Sequence, residues 1–129
     1  MSLRCLIVDD SPGFLQAARV LLERQGLRVV GVASTTAEAL QRRDEVRPDV
    51  TLVDIDLGGE SGFDLVRRLK AEEGHGNSTV ILISTHAEED FAELIAESPA
   101  AGFLSKADLS ARAIANLVEK ASDSRLEHS

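Results

Sequence analysis

Five short apolar runs, each followed by a longer stretch of helical spacing, constrain this chain more than any other feature. The runs are residues 6–8, 29–33, 50–53, 80–83 and 102–104. They are too short for ordinary helices and lack polar alternation, so they read as strands of a parallel sheet buried on both faces. The first intervening stretch sets Phe14, Leu15, Ala18, Leu21 and Leu22 on one face, with Ser11 as N-cap, Pro12 in the first turn and Gly26 closing it. The second opens on Thr35-Thr36-Ala37-Glu38, a capping-box spacing, and ends near Val46 because Arg47 precedes Pro48. A third starts at about Phe63 and carries Leu65, Val66 and Leu69; a fourth, 89–97, has a thin face of Phe91, Leu94 and Ile95. The last shows Ala113, Ile114, Leu117, Val118 and Ala121. Such β–α units joined by short connections predict an α/β, doubly wound, five-stranded parallel sheet with right-handed crossovers. No linker divides the chain, so residues 1–121 read as one domain, and 122–129 as a polar tail: frayed helix, linker remnant or cloning residue.

Composition removes several classes of function. With 22 acids against 14 bases, the net charge of −8 argues against the domain itself gripping nucleic acid. Four Phe without Tyr or Trp make a base-stacking platform a poor reading. The single cysteine, Cys5, excludes an internal disulfide and points to the cytoplasm; no apolar run is long enough to cross a membrane.

The chemistry lies in where the acids fall. The first strand runs into Asp9-Asp10 and the third ends at Asp54. Open parallel sheets bind ligands beyond the C-terminal ends of their strands, where the winding reverses. If these two strands are neighbours, three carboxylates converge, raising one another's pKa values, and a hard cation such as Mg2+ would compensate them. Taken singly, the Asp pair reads as a turn or helix cap, Lys106 as a solvated lysine, and Ser84-Thr85 as turn residues. Together they put three acids, a hydroxyl and a lysine on one edge, and no other edge gathers a comparable set.

On these residues the chain resembles a response-regulator receiver domain (CheY-like) over about 3–121. Asp9 and Asp10 resemble the acidic pair, and Asp54 falls where the family carries its phosphorylated aspartate. Gly62, eight residues on, matches a loop glycine; Ser84 matches the hydroxyl position, and Lys106, 22 residues later, the lysine. Phe103 occupies the aromatic switch position. Ala107 stands where many receivers have proline, which questions the usual cis bond there. The run Lys106-Ala107-Asp108-Leu109-Ser110 resembles the NarL-type subgroup. The loop Asp56-Leu57-Gly58-Gly59-Glu60-Ser61-Gly62 lacks the common Met-Pro, which predicts a looser loop.

The resemblance implies a flavodoxin-like strand order 2-1-3-4-5 and phosphotransfer from a histidine kinase or phosphotransfer protein to Asp54. It also implies a Mg2+ site of Asp10, Asp54 and the Asp56 backbone carbonyl, with Asp9 through water. Lys106 and Ser84 would neutralise and bond the phosphoryl oxygens, Phe103 would rotate into space that Ser84 vacates, and the surface of the fourth helix, fifth strand and fifth helix would change. Self-catalysed transfer and autodephosphorylation, rather than turnover, are implied, with Asp56 and His86 placed to tune hydrolysis. His86 alone reads as a solvated loop residue, as does His75. The acids Glu88, Glu89, Asp90, Glu93 and Glu97 read as a solvated face or, with Arg112 and Lys120, as complementary sides of a homodimer.

Two other classes compete. Asp54-Ile55-Asp56 is similar to the Asp-x-Asp of haloacid dehalogenase-type aspartyl-phosphate hydrolases, but those carry it on their first strand. A flavodoxin-like flavin binder would want a Thr/Ser-rich loop after the first strand and aromatic rings for the flavin. A pseudo-receiver acting only as a docking module would not need the site residues.

Overall fold

The computed structural model describes residues 3–71 and 78–127; His75 lies outside them. The strands are β1 (Arg4–Val8), β2 (Arg28–Ala33), β3 (Val50–Asp54), β4 (Thr79–Ser84) and β5 (Gly102–Ser105), all parallel, in the order β2-β1-β3-β4-β5. The doubly wound α/β prediction and its implied order hold. Each strand extends the apolar run that announced it by at most two residues at either end. Arg4 joins β1, for example, because its N–H finds the carboxylate of Asp49 at 2.8 Å.

The helices are α1 (Pro12–Arg24), α2 (Thr36–Val46), α3 (Gly62–Ala71), α4 (Ala92–Glu97) and α5 (Ala111–Glu127). Ser11 caps α1 by accepting the N–H of Phe14. Thr35 Oγ1 caps α2 through the N–H of Glu38 (3.1 Å), while Glu38 Oε1 reaches back to the N–H of Ser34 (2.8 Å), one residue before the cap. Helix α2 stops at Val46, where Arg47 turns left-handed ahead of Pro48. The backbone of α5 continues as helix into 122–127.

Two expectations need correcting. The fourth helix is not one element over 89–97 but a 3₁₀ turn, Glu88–Phe91, followed by the six-residue α4. None of its residues is buried, so it has little apolar surface to hold a longer helix together. Leu21, placed on the inner face of α1, is exposed; Ala18 and Leu22 are that helix's buried residues.

Period-two alternation divides the sheet into two cores. Cys5, Ile7, Val50, Leu52, Ile81 and Ile83 face α1 and α5, meeting Ala18, Leu22 and Ile114. Leu6, Val8, Val53 and Leu82 face the other way, onto Ala39, Phe63, Leu65, Val66 and Leu69 of α2 and α3. At about 1.5–3 kcal/mol per buried aliphatic side chain, these layers hold the strand ends in register, and the register positions the site.

Candidate functional site

Val8 of β1 is paired with Val53 of β3, so the next residues, Asp9 and Asp54, emerge side by side at the C-terminal edge. The ladder carries each one onward: Asp9 N–H bonds Ala33 O at 3.0 Å, and Ile55 N–H bonds Ile83 O at 3.0 Å. Asp9 is fully buried, Asp54 nearly so, and Asp10 is exposed; ligand atoms of the three lie within 4.8 Å of one another. Lys106 follows β5 and reaches back to this cluster, its Nζ 2.6 Å from Asp9 Oδ2 and 3.0 Å from Asp54 Oδ2. Three carboxylates against one ammonium leave a formal surplus of two negative charges, the charge a divalent cation cancels.

Asp54 feels that surplus. Burial is the main cause lifting its carboxyl from an ordinary 3.8 to about 6, and the charge of Asp9 adds to it. Hydrogen bonds from the Asp56 N–H and from Lys106 pull the other way. For Lys106, burial lowers the pKa, but the contacts with Asp9 and Asp54 outweigh it and the net shift is upward. The lysine therefore stays charged.

The loop beyond Asp54 is closed by hydrogen bonds despite lacking Met-Pro. Leu57 N–H bonds Glu60 O (3.0 Å) and Gly62 N–H bonds Ile55 O (2.8 Å), pairing Asp56 with Ser61. This bridge turns both the N–H and the C=O of Asp56 away from Ser61. The N–H goes to Asp54 Oδ1 at 3.0 Å. The Asp56 carboxylate instead accepts the N–H of Gly58. Two glycines make the loop fit. A Cβ on Gly62 would collide with the carbonyl of Asp54, and one on Gly58, already at φ +62°, would come within 2.8 Å of Asp10 Oδ2.

Ser84 is buried at the end of β4, one residue past the partner of Asp54, and its Oγ accepts the N–H of His86 at 3.0 Å. His86 is exposed, and its ring lies 5.8 Å from that of Phe91. Phe103 is half-buried on β5 against the α2/α3 core. No peptide bond among the described residues is cis, Lys106–Ala107 included.

The response regulator receiver domain model matches residues 5–119. The chain belongs to that family. As a receiver domain of two-component signalling it is 31% identical over 105 residues to the response regulator GacA of Pseudomonas viridiflava, covering 81% of this chain and 48% of that one. It is 26% identical over 104 residues to the DNA-binding transcriptional activator EvgA of Escherichia coli K12, covering 81% and 50%. The chain thus spans about half the length of these curated relatives. Among solved structures, a LuxR-family two-component response regulator from Aurantimonas sp. SI85-9A1 superposes with a TM-score of 0.82 at 27% identity, covering 93% of this chain and 87% of that one. The receiver domain of a Mycobacterium tuberculosis response regulator assigned as NarL gives 0.74 at 30%, covering 95% and 94%. The NarL-type likeness of 106–110 agrees with this, and the hydrolase and flavin-binding readings give way to the receiver family.

The structure brings Asp9, Asp10, Asp54 and Lys106 together as the sequence suggested, and adds three contacts that it did not. The ring of Phe14 lies under Lys106, Gly58 lies against Asp10, and Glu60 accepts the N–H of Thr36 at the start of α2. Phe14 sits at a helical core spacing and Glu60 in a polar loop, so neither had a local pattern to mark it.

Proposed function

We propose that Asp54 is the phosphoacceptor of this receiver. Its carboxylate attacks the phosphorus of a phosphohistidine on a sensor histidine kinase or phosphotransfer protein; the P–N bond breaks, the imidazole leaves and takes up a proton, and Asp54 becomes an acyl phosphate. One observation carries the reading: Asp54 accepts both the Asp56 N–H and the Lys106 ammonium at an edge with surplus negative charge.

The residues present fit Mg2+. The three acids converge, Gly58 leaves the space beside Asp10 free of a side chain, and the buried Asp9 Oδ2, although close to Lys106, has no well-directed hydrogen bond. Asp10, Asp54 and the Asp56 carbonyl would hold the ion, with Asp9 joined through water. When bound, it offsets charge on the phosphoryl oxygens. Lys106 provides a second positive charge, while Ser84 Oγ and a backbone N–H after Asp54 bond the remaining oxygens.

The switch follows from the same contacts. Ser84 Oγ, which accepts the His86 N–H, turns its own O–H toward a phosphoryl oxygen, and Phe103 rotates into the space released. The surface of α4, β5 and α5 then changes, and it is the face we assign to a homodimer of the phosphorylated form. Asp56 and His86 tune the lifetime of the acyl phosphate, making the protein a self-dephosphorylating acceptor rather than a turnover enzyme. By likeness to EvgA, the output we propose is transcriptional control in the cytoplasm through a DNA-binding partner domain. The net charge of −8 argues against direct contact of this domain with nucleic acid, and among the described residues no helix is long and apolar enough to cross a membrane.

Intact-mass measurement after incubation with acetyl phosphate and Mg2+ tests this. One phosphoryl group should appear on the wild type and none on Asp54→Asn. A phosphoryl group on both proteins, or on neither, contradicts the reading.

A further inference from the structure

Phe14 belongs by spacing to the apolar face of α1, and it packs there, partly buried, against the sheet. Its ring has a second neighbour: Lys106 Nζ lies 4.2 Å from the ring centroid. The ammonium therefore meets Asp9, Asp54 and an aromatic face, and its side chain is only 14% exposed. The site itself fixes where the ring sits. Asp9 Oδ1 accepts the N–H of Ser11 at 2.9 Å, and Ser11 Oγ accepts the N–H of Phe14 at 3.3 Å. The turn that opens α1 thus carries the acidic pair and the ring as one piece.

An aromatic face holds a cation differently from a carboxylate. Its quadrupole attracts the charge without competing strongly for the N–H bonds, and the attraction grows where water is excluded. Once Asp54 is an acyl phosphate its negative charge sits on the phosphoryl oxygens rather than on the carboxylate oxygen that held Lys106, whereas the ring is unaltered. We propose that Phe14 is a positioning residue for phosphoryl transfer: its ring face keeps the Lys106 ammonium over the acceptor while leaving N–H groups for the phosphoryl oxygens. The inference rests on the role given to Lys106 above.

The test is the rate constant for phosphorylation of the full chain by acetyl phosphate with Mg2+, with melting temperature measured alongside. Phe14→Leu keeps most of the apolar packing without a π face, and Phe14→Tyr keeps the ring. We expect Phe14→Leu to slow the reaction about three- to tenfold and Phe14→Tyr to stay within about twofold of wild type. The Leu effect should vanish when Lys106 is already Ala, because the two substitutions remove one interaction. Should Phe14→Leu not fold, Phe14→Met takes its place in the same cycle. An equal slowing by Phe14→Leu with and without Lys106, or no slowing at all, overturns the inference while leaving the role of Lys106 intact. An unchanged rate for Lys106→Ala alone overturns both.

Discussion

Strands β3 and β5 lie two places apart in the same sheet, yet they are built to different standards. Every residue of β3 is buried, and the α3 that follows it buries Gly62, Phe63, Leu65, Val66 and Leu69. Every residue of β5 is half-buried at the sheet edge, and the short α4 leading into it buries none and leaves Leu94 exposed. The difference separates two tasks. On the proposed function, phosphoryl transfer needs charges held at fixed distances, and Asp54 ends a fully buried strand paired on both sides. A switch needs two arrangements of similar free energy, and a thinly packed edge can be rearranged within the roughly 1–3 kcal/mol that such coupling usually supplies.

The largest effect expected from this contrast is on stability. Leu65→Ala should cost about 2–5 kcal/mol in denaturant unfolding, while Leu94→Ala should stay within about 0.5 kcal/mol. Similar losses from both would erase the distinction between the two sides.

Next in size is the cost of the site itself. The Asp54 carboxyl is raised to about 6 from 3.8, so the folded state binds more protons than the unfolded state between those values, and stability falls as pH rises through that window. Asp54→Asn removes the penalty. It should stabilise the metal-free protein by about 2 kcal/mol above pH ~6 and by almost nothing below pH ~4. A variant less stable than wild type at pH 7 would mean that Lys106 offsets the burial of Asp54 in full.

The loose side supplies the smaller effects. Phe103 lacks the hydroxyl of a tyrosine, so in the proposed switch its outward position would gain no hydrogen bond, and we expect a packing-driven, partial switch. Structures of the free and phosphomimic-bound protein should show two Phe103 rotamers; one shared rotamer removes it from the switch. His86→Ala should give a measurable change in the dephosphorylation rate, the smallest of these effects because the exposed His86 ring rests against Phe91; an unchanged rate would remove it from the path of the attacking water.

Much of the anchored side was legible from residue order alone. Parallel strands buried on both faces leave continuous apolar runs, and the acids Asp9 and Asp54 stand out because each directly follows or ends one. The edge was harder to read. Phe91, Leu94 and Ile95 have helical spacing but too little to pack against, so the segment breaks into a 3₁₀ turn and one short helix. Leu21 has the right period yet faces solvent. The contacts of Phe14, Gly58 and Glu60 join positions far apart in the chain, and no local pattern carries such distances.

The central claim is that Asp54, among the acids gathered at this edge, carries the phosphoryl group. Borohydride reduces an acyl phosphate to an alcohol, so trapping the protein during phosphorylation by acetyl phosphate converts the acceptor aspartate to homoserine. Peptide mapping should find homoserine at position 54 alone. Homoserine at 9, 10 or 56, or at none of the four, would contradict the account.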